Sequence, residues 1–181
     1  QFSGPVSFNL NTPNTRTSVN GLVAGGLLTL KEDAHVQMKV TPEASRLVLK
    51  EVNPLNLSYF YSQAPITLEI PAHGFAFRLY PFDFSKITIP NATIELGKIL
   101  CKNEGNVHIA LGLLKSKQFE KTNELMLWFA PIDLHVRQGI VDIERTEILL
   151  AETYDICSWG KVDLVDQYVD MVLGLTAQTL A

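Results

Sequence analysis

Hydrophobic and polar side chains alternate with period two over most of this chain, the signature of strands that bury one face and wet the other. Val6, Phe8 and Leu10 alternate with Ser7 and Asn9, Val36, Met38 and Val40 with Gln37 and Lys39, and Ile66, Leu68 and Ile70 with Thr67 and Glu69. Phe75, Phe77 and Leu79 continue the theme around Ala76 and Arg78. From Met126 through Trp128, Ala130, Ile132 and Leu134 to Val136 a single parity persists. That run exceeds the usual strand of about five or six residues and predicts a long, curved one. In the C-terminal third, Val141 and Ile143 alternate with Asp142 and Glu144. Ile148, Leu150, Tyr154 and Ile156 then share one parity, and Val169, Met171, Leu173 and Leu175 another. Gly139 and Gly160 punctuate these runs where tight reversals call for a permissive backbone. Successive antiparallel strands joined by short turns are the expectation.

Two segments break the alternation. Thr41-Pro42-Glu43 carries a hydroxyl at the cap, proline at the first helical position and an acid near the positive end of the dipole. Ala44, Leu47, Val48 and Val52 follow at helical spacing, and Pro54 marks the end. A second helix is predicted from Asn106, with Val107, Ala110, Leu111 and Leu114 in one stripe and Lys115 and Lys117 near its negative end. The expected fold is therefore mainly β with two short helices (α+β): a long, curved antiparallel sheet packed on, or partly covered by, those helices.

The 181 residues, 46% of them apolar, suit a single β-rich domain over 1–181. At this length a globule buries about 70% of the surface its unfolded chain exposes, so no metal or disulfide framework is needed. With 15 Lys and Arg against 19 Asp and Glu, the net charge of −4 offers no field for phosphates, so no nucleic acid partner is expected. Gln1-Phe2-Ser3-Gly4-Pro5 lacks the basic start and apolar centre of a signal peptide. The longest apolar stretch, Gly21 to Leu28, ends at Lys31, Glu32 and Asp33, well short of the roughly 18 residues of a membrane span. The chain opens without Met, which predicts a processed or excised segment whose membrane anchor lies outside it.

Catalytic motifs are scarce. Gly21, Gly25 and Gly26 have no Gly-Lys-Ser/Thr after them and read as easing a bend, not as a phosphate loop. His35, His73, His108 and His135 are dispersed, and Asp133 with His135 makes at most half a metal site on a polar strand face. Asp163, Asp166 and Asp170 lack the spacing of a calcium loop. The sequons at Asn56 and Asn91 do not enter the reading. No metal, cofactor or catalytic residue is expected, and an enzyme would need a cryptic site assembled from residues such as Asp133, His135 and Glu144. Cys101 and Cys157 have no zinc-spaced companions and are either buried thiols or one long-loop disulfide. Their apolar settings favour two separate thiols.

Two apolar runs, Leu55 to Phe60 with Tyr61 and Phe75 to Phe84, need more cover than two short helices supply. Either they fill an ordinary core or the curved sheet leaves part of its concave face open as a groove.

The C-terminal half carries a helix with Gly105-Asn106-Val107 followed by Leu111, Leu113 and Leu114, then Leu127-Trp128-Phe129-Ala130-Pro131-Ile132 and Gln138-Gly139-Ile140-Val141 leading to Arg145. Ile156, Trp159-Gly160-Lys161-Val162-Asp163-Leu164 and Leu173-Gly174-Leu175 complete the pattern. Residues 87–181, and less closely 26–49, resemble the AsmA-like and TamB-like envelope proteins of Gram-negative bacteria, relatives of the repeating β-groove lipid-transfer proteins. The resemblance implies a membrane-tethered domain on the periplasmic face of the inner membrane, with a β-groove for acyl chains or phospholipid.

The expected function is thus a non-enzymatic lipid-binding, lipid-transfer or envelope-maintenance domain. Its groove candidates are Phe75, Phe77, Leu79, Trp128, Ile132, Leu134, Val169, Met171 and Leu173. The alternative is a structural or interaction module that pairs edge to edge with another chain segment.

Overall fold

The computed structural model describes residues 3–43, 45, 59–114, 122–176 and 179. Alternating side chains give strands β1 (Gly4–Asn11), β2 (Thr15–Ala24), β3 (Leu27–Leu30), β4 (Ala34–Met38), β5 (Phe60–Ser62) and β6 (Ile66–Ile70). A two-residue β7 (Phe77–Arg78) and a 3₁₀ turn at Phe84–Lys86 precede β8 (Thr88–Glu95) and β9 (Gly97–Lys102). Helix α1 (Gly105–Leu113) leads into β10 (Glu124–Phe129), β11 (Ile132–Arg137), β12 (Ile140–Leu150), β13 (Tyr154–Asp163) and β14 (Tyr168–Leu175).

These strands make one antiparallel sheet that curls into a half-barrel. Hydrogen-bonded neighbours run β1-β2-β4-β6-β8-β11-β12-β13-β14. β12 is long enough, at 11 residues, to pair with β11 near its start and with β10 near its end, and β9 and β5 extend the sheet beyond β10. β3 and β7 extend it beside the end of β2. Register shifts between Leu134 and Val136 and between Ile143 and Thr146 mark irregularities of the kind that add bend and twist to a sheet.

Pairing assigns each side chain to a face. The convex face is polar: the row Ser18, His35, Glu69, Thr93, Asp133 crosses five neighbouring strands, as does the row Thr88, Arg137, Ile140, Asp163, Tyr168 nearer one end. The concave face is apolar, and its core lies at the end where α1 folds over it. Val107 and Leu111, one helical turn apart, pack with Ile99, Cys101, Leu125, Leu127, Phe129, Ile148, Leu150 and Ile156, and Leu114 joins their edge. The predicted second helix is thus present, beginning one residue earlier than the sequence suggested. Of the predicted first helix, Pro42, Glu43 and Ser45 are helical and the Ser45 amide donates to the Thr41 carbonyl at 3.0 Å. Its remainder, including Ala44, Leu47, Val48, Val52 and Pro54, lies outside the described residues.

Three expectations change. The run from Met126 to Val136 is two strands, because Ala130-Pro131 interrupts it and proline has no amide for the ladder. The parity shifts there: Leu125, Leu127 and Phe129 are buried, then Ile132 and Val136, while Trp128 is exposed on the other face. Gly160 is not a turn but the middle of β13, where a Cβ would lie 2.1 Å from the Asp170 carbonyl oxygen. Phe75 to Leu79 form no alternating strand beyond Phe77 and Arg78, since Ala76 makes an isolated bridge to Thr88 and turns surround the pair.

Truncating Leu127 to alanine removes a fully buried side chain and should cost about 2–5 kcal/mol of unfolding free energy in urea titrations. Trp128→Ala, one residue away on the exposed face, should cost less than about 1 kcal/mol.

Candidate functional site

Beyond the core, the concave face continues as an apolar floor in which Ala92, Val136 and Val162 are buried and other positions are half-buried or exposed. The floor can be traced by register. Leu10, Thr17, Val36, Leu68, Ile94 and Ile132 form one row from β1 to β11. Ala92, Leu134, Ile143, Gly160 and Met171 form a second, and Ile89, Val136, Val141, Val162 and Val169 a third, each from β8 to β14. No ionisable side chain interrupts these rows.

Accessibility divides the floor. Val36, Leu68, Leu134, Val141, Ile143 and Met171 are half-buried, and the edge side chains Val6, Phe8 and Leu10 on β1 and Val169 and Leu173 on β14 are exposed. An apolar trough therefore spans the sheet from edge to edge, closed at one end by α1 and its core. Gly160 shapes its floor: a Cβ there would lie 2.9 Å from Met171 Sδ, so glycine lets the methionine lie across the strand. A cleft of about 490 Å³ crosses β1, β2, β4 and β6 at the Leu10–Thr17–Val36–Leu68 row, and none of the sequence-derived candidates borders it.

The candidates distribute unevenly over this surface. Leu134, Val169, Met171 and Leu173 lie on the trough floor. Ile132 faces the same way but belongs to the closed core, and Phe77 faces it from β7 through its pairing with Leu28. Trp128 lies on the convex side. Phe75 is half-buried in the loop before β7, and Leu79 is exposed beyond it. The sequence list omitted the β1 side chains and Val36, Leu68, Val141 and Ile143. Their alternation was visible, but only the pairing register puts them on one surface.

The end opposite α1 gathers four turns. The Leu79 and Tyr80 amides donate to the Gly26 carbonyl at 2.8 and 3.4 Å, which ties the 79–86 loop to the β2–β3 turn. Phe77 stacks edge-on against Phe82 with centroids 5.6 Å apart, and Phe82 against Phe84 at 4.8 Å. Gly139 in the β11–β12 turn leaves room for Phe84 and Val165, since a Cβ would lie 2.7 Å from Val165 Cγ2. Asp83 accepts hydrogen bonds from the Ser85 hydroxyl and amide, and this pairing holds its carboxyl below the usual carboxylate range. Asp163 accepts hydrogen bonds from the Val165 and Asp166 amides in the β13–β14 turn.

On the convex face, His135 Nε2 lies 3.2 Å from Glu144 Oε1, while Asp133 accepts a 2.6 Å hydrogen bond from the Thr93 hydroxyl. The His135–Glu144 pair is largely exposed and Asp133 half-buried, and among the described residues no group of His, Cys, Asp and Glu could hold a metal ion. Cys101 and Cys157 are free thiols, both buried. They lie on opposite sides of the sheet: Cys101 pairs with the inward Leu125, whereas Cys157 pairs with Glu147 and Gly174 on the outer face, where the edge of the Trp159 ring lies against Gly174. Burial, with a smaller contribution from Glu124, pushes the Cys101 thiol up to about 12.

No family model, curated protein or solved structure matches this chain.

The Cys101 shift gives a pH-dependent stability. Between the ordinary thiol value of 9.0 and about 12, the unfolded chain releases this proton while the folded chain retains it, so stability falls as pH rises through that window. The loss attributable to Cys101 should reach at most about 1.4 kcal/mol per pH unit. Urea melts of wild type and Cys101→Ala across that range should differ in slope, and parallel slopes would contradict the assignment.

Proposed function

We propose that this chain binds lipid acyl chains along the concave face of its sheet and performs no chemistry on them. The observation that carries the reading is the apolar floor that continues from β1 to β14 beyond the core, much of it half-buried and exposed at both edges. A contiguous apolar surface of that kind is a binding site or a liability. The trough suits a chain of methylenes because it has no charge to satisfy. Each buried CH₂ contributes about 0.8 kcal/mol, so a polar head can remain outside.

The sequence resemblance to AsmA-like and TamB-like proteins points the same way. Under this reading the chain is a segment of a longer, membrane-anchored protein at the periplasmic face of a Gram-negative inner membrane, handling phospholipid for transfer or envelope maintenance.

A second reading rests on the edges. β1 and β14, each of 8 residues, pair on one side only among the described residues, and β1 carries no charged side chain to discourage further pairing. A structural or interaction module that extends its sheet with another chain segment would use those edges.

Lipid extraction and native mass spectrometry of the purified chain should find co-purifying lipid. Leu134→Glu puts a charge on the trough floor and should weaken binding of a monomeric fluorescent fatty acid by at least about tenfold. Ile109→Ser, on an exposed position of α1, should leave it unchanged. Absence of both lipid and fatty-acid binding, together with concentration-dependent association in light scattering, would favour edge pairing instead.

A further inference from the structure

We propose that the turn end of the half-barrel is a membrane-docking rim, with the loop from Leu79 to Phe84 entering the surface of a phospholipid bilayer beside the open end of the trough; this rests on the acyl-binding reading above. Tyr80 is 80% exposed and Phe82 55% exposed, and Leu27, Leu79, Phe84 and Val165 are exposed with them. The contacts through Gly26, Phe82 and Gly139 join these side chains into one patch at the end away from α1. A closed core gains nothing from aromatics held out on a turn.

Three properties of the patch select a bilayer as its occupant. The side chains project from turns and so present no cavity for a protein anchor, while Tyr and Phe suit the boundary between headgroups and hydrocarbon. Much of the local backbone is already paired: the amides of Leu79, Tyr80, Ser85, Lys86, Ile87, Leu164, Val165 and Asp166 have partners within the protein, and Pro81 has no amide. Such turns can leave water without stranding those donors. The flanking charge is also suitable. Arg78, Lys86 and Arg137 are exposed and have no carboxylate within ion-pair distance among the described residues. The nearby acids Asp83, Asp163 and Asp166 balance these three cations, and beside the Ser85 hydrogen bonds Lys86 and Arg78 help hold the Asp83 carboxyl below its usual range, so the rim carries both signs and no net charge. Such a mixed rim can meet the phosphate and ammonium groups of phospholipid headgroups while the aromatics sit below them.

Co-sedimentation of the full chain with phosphatidylcholine vesicles containing phosphatidylglycerol tests this. Wild type should bind, and Tyr80→Ser with Phe82→Ser should bind at least about tenfold more weakly, as expected for losing two interfacial aromatic contacts. Tyr80→Ser alone leaves the Phe77–Phe82–Phe84 cluster intact and should still weaken binding, which covers the case in which the double variant fails to fold. Ile109→Ser, 60% exposed on α1, should bind vesicles as wild type does. The rim variants should retain monomeric fatty-acid binding and Leu134→Glu should retain vesicle binding, so the rim and the trough fail separately. Absence of wild-type sedimentation, equal loss in Ile109→Ser, or self-association abolished by Phe82→Ser in light scattering would each overturn the proposal.

Discussion

The structure depends on one constraint: a wide antiparallel sheet with a continuous apolar face has to remove that face from water. Curling brings its own strands around the apolar side, and helix α1 closes one end of the curl. The described part of that helix is only 9 residues long and reaches the sheet through Val107 and Leu111. A cover of that size protects the side chains around Leu127 and leaves Leu134, Val141, Ile143 and Met171 half-buried and Val169 exposed. The division between closed core and open trough follows from how far the helix reaches.

The polar face obeys the complementary rule. His35 lies 3.5 Å from Glu69, Lys161 3.4 Å from Asp142, and Arg145 2.9 Å from Glu147, all on strands whose opposite faces are apolar. Such exposed pairs contribute little to stability individually. Their value lies in fixing register, because a slip of one residue would bring these charges to the concave side. The His135–Glu144 pair belongs to this set.

Much of this was legible in the alternation, which marks the strands and assigns most side chains to the correct face. It failed where the backbone interrupts the count. Ala130-Pro131 shifts parity, so Met126 and Trp128 look continuous with Ile132 in sequence but lie on the other side of the sheet. Gly160 has the composition of a turn and serves instead as a close approach between β13 and β14, a distinction that depends on Asp170 and Met171 across the strand pair. The segment around Phe75 and Leu79 repeats at the period of a strand, yet its partners limit pairing to Phe77 and Arg78. The trough was legible only in part, because strand order is non-local: nothing between Leu10 and Ile132 in the sequence reveals that one register row connects them.

The two thiols express the same logic. Cys101 packs as a small hydrophobe in the closed end, where desolvation keeps it protonated. Cys157 is equally hidden but on the polar side, beside the Gly174 over which the Trp159 ring lies. A disulfide between them would have to pass through the sheet, so their separation follows from strand parity alone. At the sheet edges and at the turn end, by contrast, apolar side chains such as Phe8, Val169, Tyr80 and Phe82 are exposed. That exposed apolar surface is the physical basis on which lipid contact is proposed there.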